Sequence, residues 1–152
     1  MDNYFDNAAT TRRDDEELKE MLPYFSQSYG NPSSIYKIGR ENRKAVEEAR
    51  EKVAKAINAE PNEIYFTAGG SESDNTAIRG IAYAYKQRGN HIITSKIEHP
   101  AVLETCKQLE KEGFEVSYIG VDEKGIVNLE ELKNSIKETT TLITIMFANN
   151  EI

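Results

Sequence analysis

An α/β fold with a doubly wound, mostly parallel sheet is predicted from three features of the 152-residue sequence. After residue 60, short β-branched and aromatic runs alternate with longer amphipathic segments, the pattern of strands joined by crossover helices. The last run, "TLITIMFA", reads as a buried-type strand. Turn and cap residues such as Gly113 and Asn128 fall where the pattern switches.

The elements follow in order. "DDEELKEMLPYF" reads as a short helix with two aspartates at its start, broken or bent at Pro23. "SYGNPSS" is a loop by composition. Residues 35–58 read as a long amphipathic helix, with Val46, Ala49, Val53 and Ile57 recurring at helical spacing. Residues 64–67 are expected to form a strand and 71–88 a helix. "HIITS" is the next strand, and 100–112 the next helix, ending at Gly113. "FEVSYIG" alternates more and belongs nearer a sheet edge. Asn128 caps "LEELKNSIKE", and "TLITIMFA" is the last strand.

Composition narrows the function. A net charge of -7 and a pI near 5.0 argue against a nucleic-acid or anionic-membrane partner. The longest uncharged apolar run, from Leu142 to Ala148, is far too short to span a bilayer. The acidic N-terminus does not read as a signal peptide, and one cysteine, Cys106, excludes an internal disulfide. A cytoplasmic protein is expected. Metal-ligand spacing is absent from the sequence.

The chemistry concentrates in "EIYFTAGGSESDN". Gly69 and Gly70 are expected at a tight turn, and Ser71 with Asp74 fits a capping box. Free amides at such a helix start make a phosphate site, although a plain turn with a plain cap explains the same residues. No lysine follows the glycines as in a nucleotide P-loop, and the dinucleotide fingerprint is absent. Ligands in open sheets of this kind sit at the carboxyl ends of the strands. That rule singles out Gly70 and Ser71, His99, and the carboxamides of Asn149 and Asn150. A lone histidine after a strand, as His99 is, is more often a surface or capping residue than a catalyst. His91 reads as a solvent-facing loop position, and Cys106 as a buried core residue among Val102 and Leu109.

Six segments in order, "DNAATT", "YGNPSS", "IYFTAGGSESDN", "HIITSKIEHPAVLE", "LEKEGFEVSYI" and "IMFANNEI", resemble the cysteine desulfurases. These are pyridoxal-phosphate enzymes of the class V aminotransferase group, and the "SESDN" form is similar to the branch serving nitrogenase and iron–sulfur cluster assembly. The resemblance implies the N-terminal part of a fold type I large domain, with residues 1–14 as an arm and 15–152 as a partial cofactor-binding domain. It implies that Gly70 and Ser71 hold the phosphate of pyridoxal 5'-phosphate. It further implies that His99 stacks on the pyridine ring and assists proton transfer, and that Asn150 reaches the phenolic-oxygen side. L-cysteine would be the substrate, alanine and an enzyme persulfide the products, and an iron–sulfur scaffold or other sulfur acceptor the partner. Homodimers are implied for full-length members.

The Schiff-base lysine, the aspartate facing the pyridinium nitrogen and the nucleophilic cysteine belong to a part of the family beyond "NNEI". The expectation is therefore an N-terminal fragment, inactive alone, with an uncovered sheet edge that favours aggregation. Departures from the family are Ser71 for a common threonine, Tyr36 for a common histidine and Arg12 for a usual proline. The alternatives are a selenocysteine lyase or another class V enzyme, and a noncatalytic remnant.

Overall fold

The computed structural model describes residues 3–152. The chain separates into two compact units, one ending at Phe66 and one running Thr67–Ile152. No helix is long and apolar enough to cross a membrane among the described residues.

In the first unit, residues 3–14 hold no helix or strand, and Met1 and Asp2 of the expected arm lie outside the described residues. Helix α1 (Asp15–Met21) starts at Asp14, whose carboxylate accepts from Glu16 N–H at 2.7 Å. Pro23 ends it by opening a separate turn, α2 (Pro23–Ser26). The proline lacks the donor an interior position requires, and its fixed φ suits a first helical position. Helix α3 (Lys37–Ala56) is the long amphipathic helix. Asn42 on α3 is buried and donates from Nδ2 to the Ser28 carbonyl at 2.7 Å and to the Gly30 carbonyl, so the "SYGNPSS" loop is fastened by side chain to backbone.

Residues 64–67 depart from expectation: they form no strand, following a 3-10 turn at Pro61–Glu63. Strand character needs a paired neighbour, and the sheet contains only β1 (His91–Ser95), β2 (Glu115–Ile119) and β3 (Thr140–Thr144). The Ile64 carbonyl instead accepts from Arg50 Nη1, and Tyr65 and Phe66 are exposed.

The second unit is built on that sheet, in the order β2-β1-β3 with both pairings parallel. Ile92 faces Val116 on one side and Leu142 on the other, so these three share a sheet face. Helices α4 (Gly70–Ala84) and α5 (Pro100–Lys111) cover that face. Their Ile78, Ala82, Val102, Cys106 and Leu109 pack with Ile92 and Phe114 into one core. Full burial of each large aliphatic member contributes about 1.5–3 kcal/mol. From β1 the chain passes through α5 to β2, then returns through α6 (Leu129–Ser135) to the far side of β1. Right-handed crossovers in opposite directions put α5 and α6 on opposite faces, which is the doubly wound arrangement. Strand β2 lies at an edge as expected, Gly113 ends α5 with φ 91°, and Asn128 Oδ1 caps α6 through Glu131 N–H at 3.0 Å.

His91 also departs from expectation. It is fully buried in the central strand, with Nδ1 2.7 Å from Thr140 Oγ1 and Nε2 2.9 Å from Ser117 Oγ. A polar ring is tolerated there because a hydroxyl from each flanking strand satisfies one of its nitrogens.

Candidate functional site

The amino termini of α4 and α5 lie at the end of the sheet where β1 finishes, because β1 runs directly through Lys96–His99 into α5. The two starts are built differently. In α4 the first intrahelical bond is Ser73 N–H to the Gly69 carbonyl at 3.1 Å. The amides of Gly70, Ser71 and Glu72 precede it and have no partner within the helix. In α5 the corresponding groups are consumed. Pro100 has no N–H, and Ala101 N–H donates to His99 Nδ1 at 3.1 Å. Of these two starts, α4 is the one that offers open amides and the positive end of a helix dipole to an anion.

The capping box expected at Ser71 is not formed. Gly69 is the N-cap residue, Ser71 lies in the first turn of α4, and no side chain caps the helix. Glu72 instead accepts from Ala68 N–H at 2.7 Å, and Thr67 Oγ1 lies 2.6 Å from Ser73 Oγ. The Ser71 hydroxyl is thus left out of local capping. Gly69 is extended, with φ 171°, so no strained turn calls for glycine. A Cβ added at Gly69 or Gly70 would meet nothing within 4 Å, so open space borders the backbone here.

A cleft of about 440 Å³ brings together Ser71, Asn75 and Arg79 of α4 with His99, Glu104 and Thr105. Ser71 and His99, which come from different segments, line the same space. Gly70 adjoins Ser71 as the first residue of α4. Asn150 is exposed and lies outside this cleft. Its neighbour Asn149 lines a second cavity of about 350 Å³, between the carboxyl ends of β1 and β3.

Because Nδ1 of His99 accepts a backbone hydrogen bond, the neutral ring carries its proton on Nε2. Asn75 fixes the spacing of the two helix starts, donating to the Ser71 carbonyl at 2.8 Å and accepting from buried Thr105 Oγ1 at 2.7 Å. Sequence reasoning passes over Asn75, Thr105 and Glu98. The helical register of Asn75 on Ser71, four residues apart, is the available signal for the first. Cys106, as expected, is buried, and burial pushes its thiol up to about 11.

The family described as Aminotransferase class-V matches residues 3–152. The chain belongs to the class-V aminotransferases. It is 59% identical over 149 residues to a protein named cysteine desulfurase IscS from Clostridium botulinum (strain Hall), covering 98% of this chain and 38% of that protein. It is 58% identical to the cysteine desulfurase IscS of Methanosarcina thermophila, covering 98% of this chain and 37% of that one. A solved structure named "NifS-like protein" superposes with a TM-score of 0.95 at 48% identity, over 99% of this chain and 42% of that chain. Another, named "SspA in complex with cysteine", gives 0.92 at 41% identity, over 98% and 43%. The chain thus spans well under half the length of these relatives.

Proposed function

We propose that this chain supplies the phosphate- and ring-binding part of a pyridoxal-phosphate cysteine desulfurase that passes sulfur toward iron–sulfur cluster assembly. The observation that carries the reading is the shared cleft of Ser71 and His99, with open amides at one helix start and a tethered imidazole at the other. The residues suit the cofactor: a phosphate fits uncapped amides bordered by open space, and a planar ring fits beside an imidazole.

In this reading the Gly70 and Ser71 amides and the Ser71 hydroxyl hold the phosphate. His99 lies against the ring and holds or moves a proton at Nε2, its other nitrogen being committed to Ala101. Asn150, on the segment after β3 and outside that cleft, is assigned to the phenolic-oxygen side of the ring. When bound, pyridoxal phosphate supplies the electron sink that labilises bonds to the substrate's α-carbon. L-cysteine as substrate, a sulfur-accepting partner, homodimer formation and a cytoplasmic location belong to the same proposal. Support comes from the names of the relatives and from the cysteine complex formed by SspA, a structural neighbour.

Titration with pyridoxal phosphate, followed by its visible absorbance, tests the reading. Saturable binding is expected, with Ser71→Ala weakening it about tenfold or more, the scale of one hydrogen bond to a charged group. Binding that neither saturates nor responds to Ser71→Ala sinks it.

A further inference from the structure

We propose that Glu98 is a positioning residue for His99, locking the link between β1 and α5 onto the segment that follows β3. The inference rests on the cofactor reading above. Glu98 is 6% exposed, the one acidic side chain among the buried residues described, and stands directly before His99. Its Oε1 accepts two hydrogen bonds, from Ser95 Oγ at 2.7 Å and from Met146 N–H at 2.8 Å. Ser95 is the last residue of β1, and Met146 lies two residues beyond β3. A single carboxylate oxygen therefore ties together the carboxyl ends of two neighbouring strands.

The rest of the link is fastened in the same manner. Lys96 N–H donates to the Ile119 carbonyl at 3.0 Å, attaching the link to the end of β2. Asn149 Nδ2 donates to the Ile97 carbonyl at 3.0 Å, attaching it to the segment after β3. Lys96, Ile97 and Glu98 are thus each held by another part of the sheet's carboxyl edge, and His99 is the next residue. From there His99 caps α5 with its own ring, so its backbone is fixed from both sides. Of these fastenings, that of Glu98 is the closest to His99 in sequence and is buried with Ser95. Its removal leaves a buried hydroxyl and a backbone N–H without an acceptor, which favours rearrangement of the link.

The experiment uses the protein as its source organism makes it, with pyridoxal phosphate bound, and four substitutions: Glu98→Met, Glu98→Gln, Ser95→Ala and His99→Ala. Glu98→Met keeps the volume and removes the acceptor, whereas Glu98→Gln keeps a carbonyl oxygen in place. For Glu98→Met the expected result is a fall in kcat for sulfur release of up to roughly 10²-fold, the scale of a small misplacement of a catalytic group. KM and the dissociation constant of pyridoxal phosphate should stay within about threefold, because the phosphate is held from α4. The visible circular dichroism of the bound cofactor should change toward that of His99→Ala, and Glu98→Gln should restore most of both signals. Introduced into His99→Ala, Glu98→Met should add nothing further, since it acts through the ring. Should Glu98→Met fail to fold, Ser95→Ala, which removes one of the two donors, is expected to give a smaller change of the same kind. An additive double variant, or an unchanged cofactor spectrum in both Glu98→Met and Ser95→Ala, overturns the inference. A wild-type protein that binds no pyridoxal phosphate overturns the cofactor reading itself, and this inference with it.

Discussion

Among the described residues, 67–152 contain nine of the ten buried apolar side chains, whereas the unit ending at Phe66 contains one, Ala54. Both units carry the same kind of signal, apolar residues at helical spacing. In α4 and α5 that stripe meets a sheet and is buried. In α3 it is largely not: Val53 is 41% exposed, and Ile57, the C-cap residue just past the helix, 65%. Periodicity shows which face of a helix is apolar but not what covers it. The largest expected effect breaks the comparison at its strongest point. Leu109→Ala should cost about 2–5 kcal/mol in urea unfolding, because it opens a cavity in a closed core. Ile57→Ala should stay within about 0.5 kcal/mol, as for an exposed site. Equal losses would mean that α3 is buried as deeply as α5.

The same contrast shows how much is legible in the sequence. The three parallel strands, the long helix, the Gly113 stop and the Asn128 cap are short-range features and stand where residue chemistry puts them, except that β3 ends at Thr144 and the rest of "TLITIMFA", residues 145–148, forms no strand. The strand expected over residues 64–67 fails because its partner is a long-range matter that no local run encodes. His91 departs from expectation for a related reason. The Gly89-Asn90 turn beside it suggests solvent, while the Ser117 and Thr140 hydroxyls that make burial possible come from two other strands. At the site, Ser71 and His99 stand out by their place at expected strand ends and do share a cleft. Asn150 stands out by the same rule and lies outside it.

A smaller effect sharpens the comparison through pH. Both histidines of the chain lie in the second unit. Burial, with the Lys137 ammonium as the next cause, holds the His91 imidazole below its ordinary value of 6.5, and Glu115 opposes this. A lowered value means that the unfolded chain binds more protons than the folded one just below pH 6.5. The stability that comes from keeping His91 neutral is therefore present above pH 6.5 and lost as pH falls through its folded value. Urea midpoints of the second unit should drop between about pH 7 and pH 5, and His91→Gln should flatten that dependence. A wild-type profile already flat across this window would show that the Thr140 and Ser117 hydroxyls accommodate the charged ring equally well.

The smallest expected effect concerns what fastens the first unit in place of a core. Its α3 pairs Lys37–Glu41 and Lys44–Glu48 are exposed at 3.7 Å and 3.6 Å, and such pairs contribute at most about 0.5 kcal/mol. Arg50 is different, with a side chain only 22% exposed. It pairs with Glu47 at 3.1 Å, donates to the Ile64 carbonyl, and lies 5.0 Å from the Phe66 ring centroid. One planar guanidinium thus serves three partners and holds residues 64–66 without a strand ladder. Arg50→Ala should cost about 1 kcal/mol and raise chymotrypsin cleavage at Tyr65 and Phe66 several-fold. Arg50→Lys should recover little of this, because an ammonium keeps the charge and loses the fork. Cleavage unchanged in Arg50→Ala would mean that the segment is held by its backbone alone, and the contrast with the sheet-bound unit would be smaller than the exposed side chains suggest.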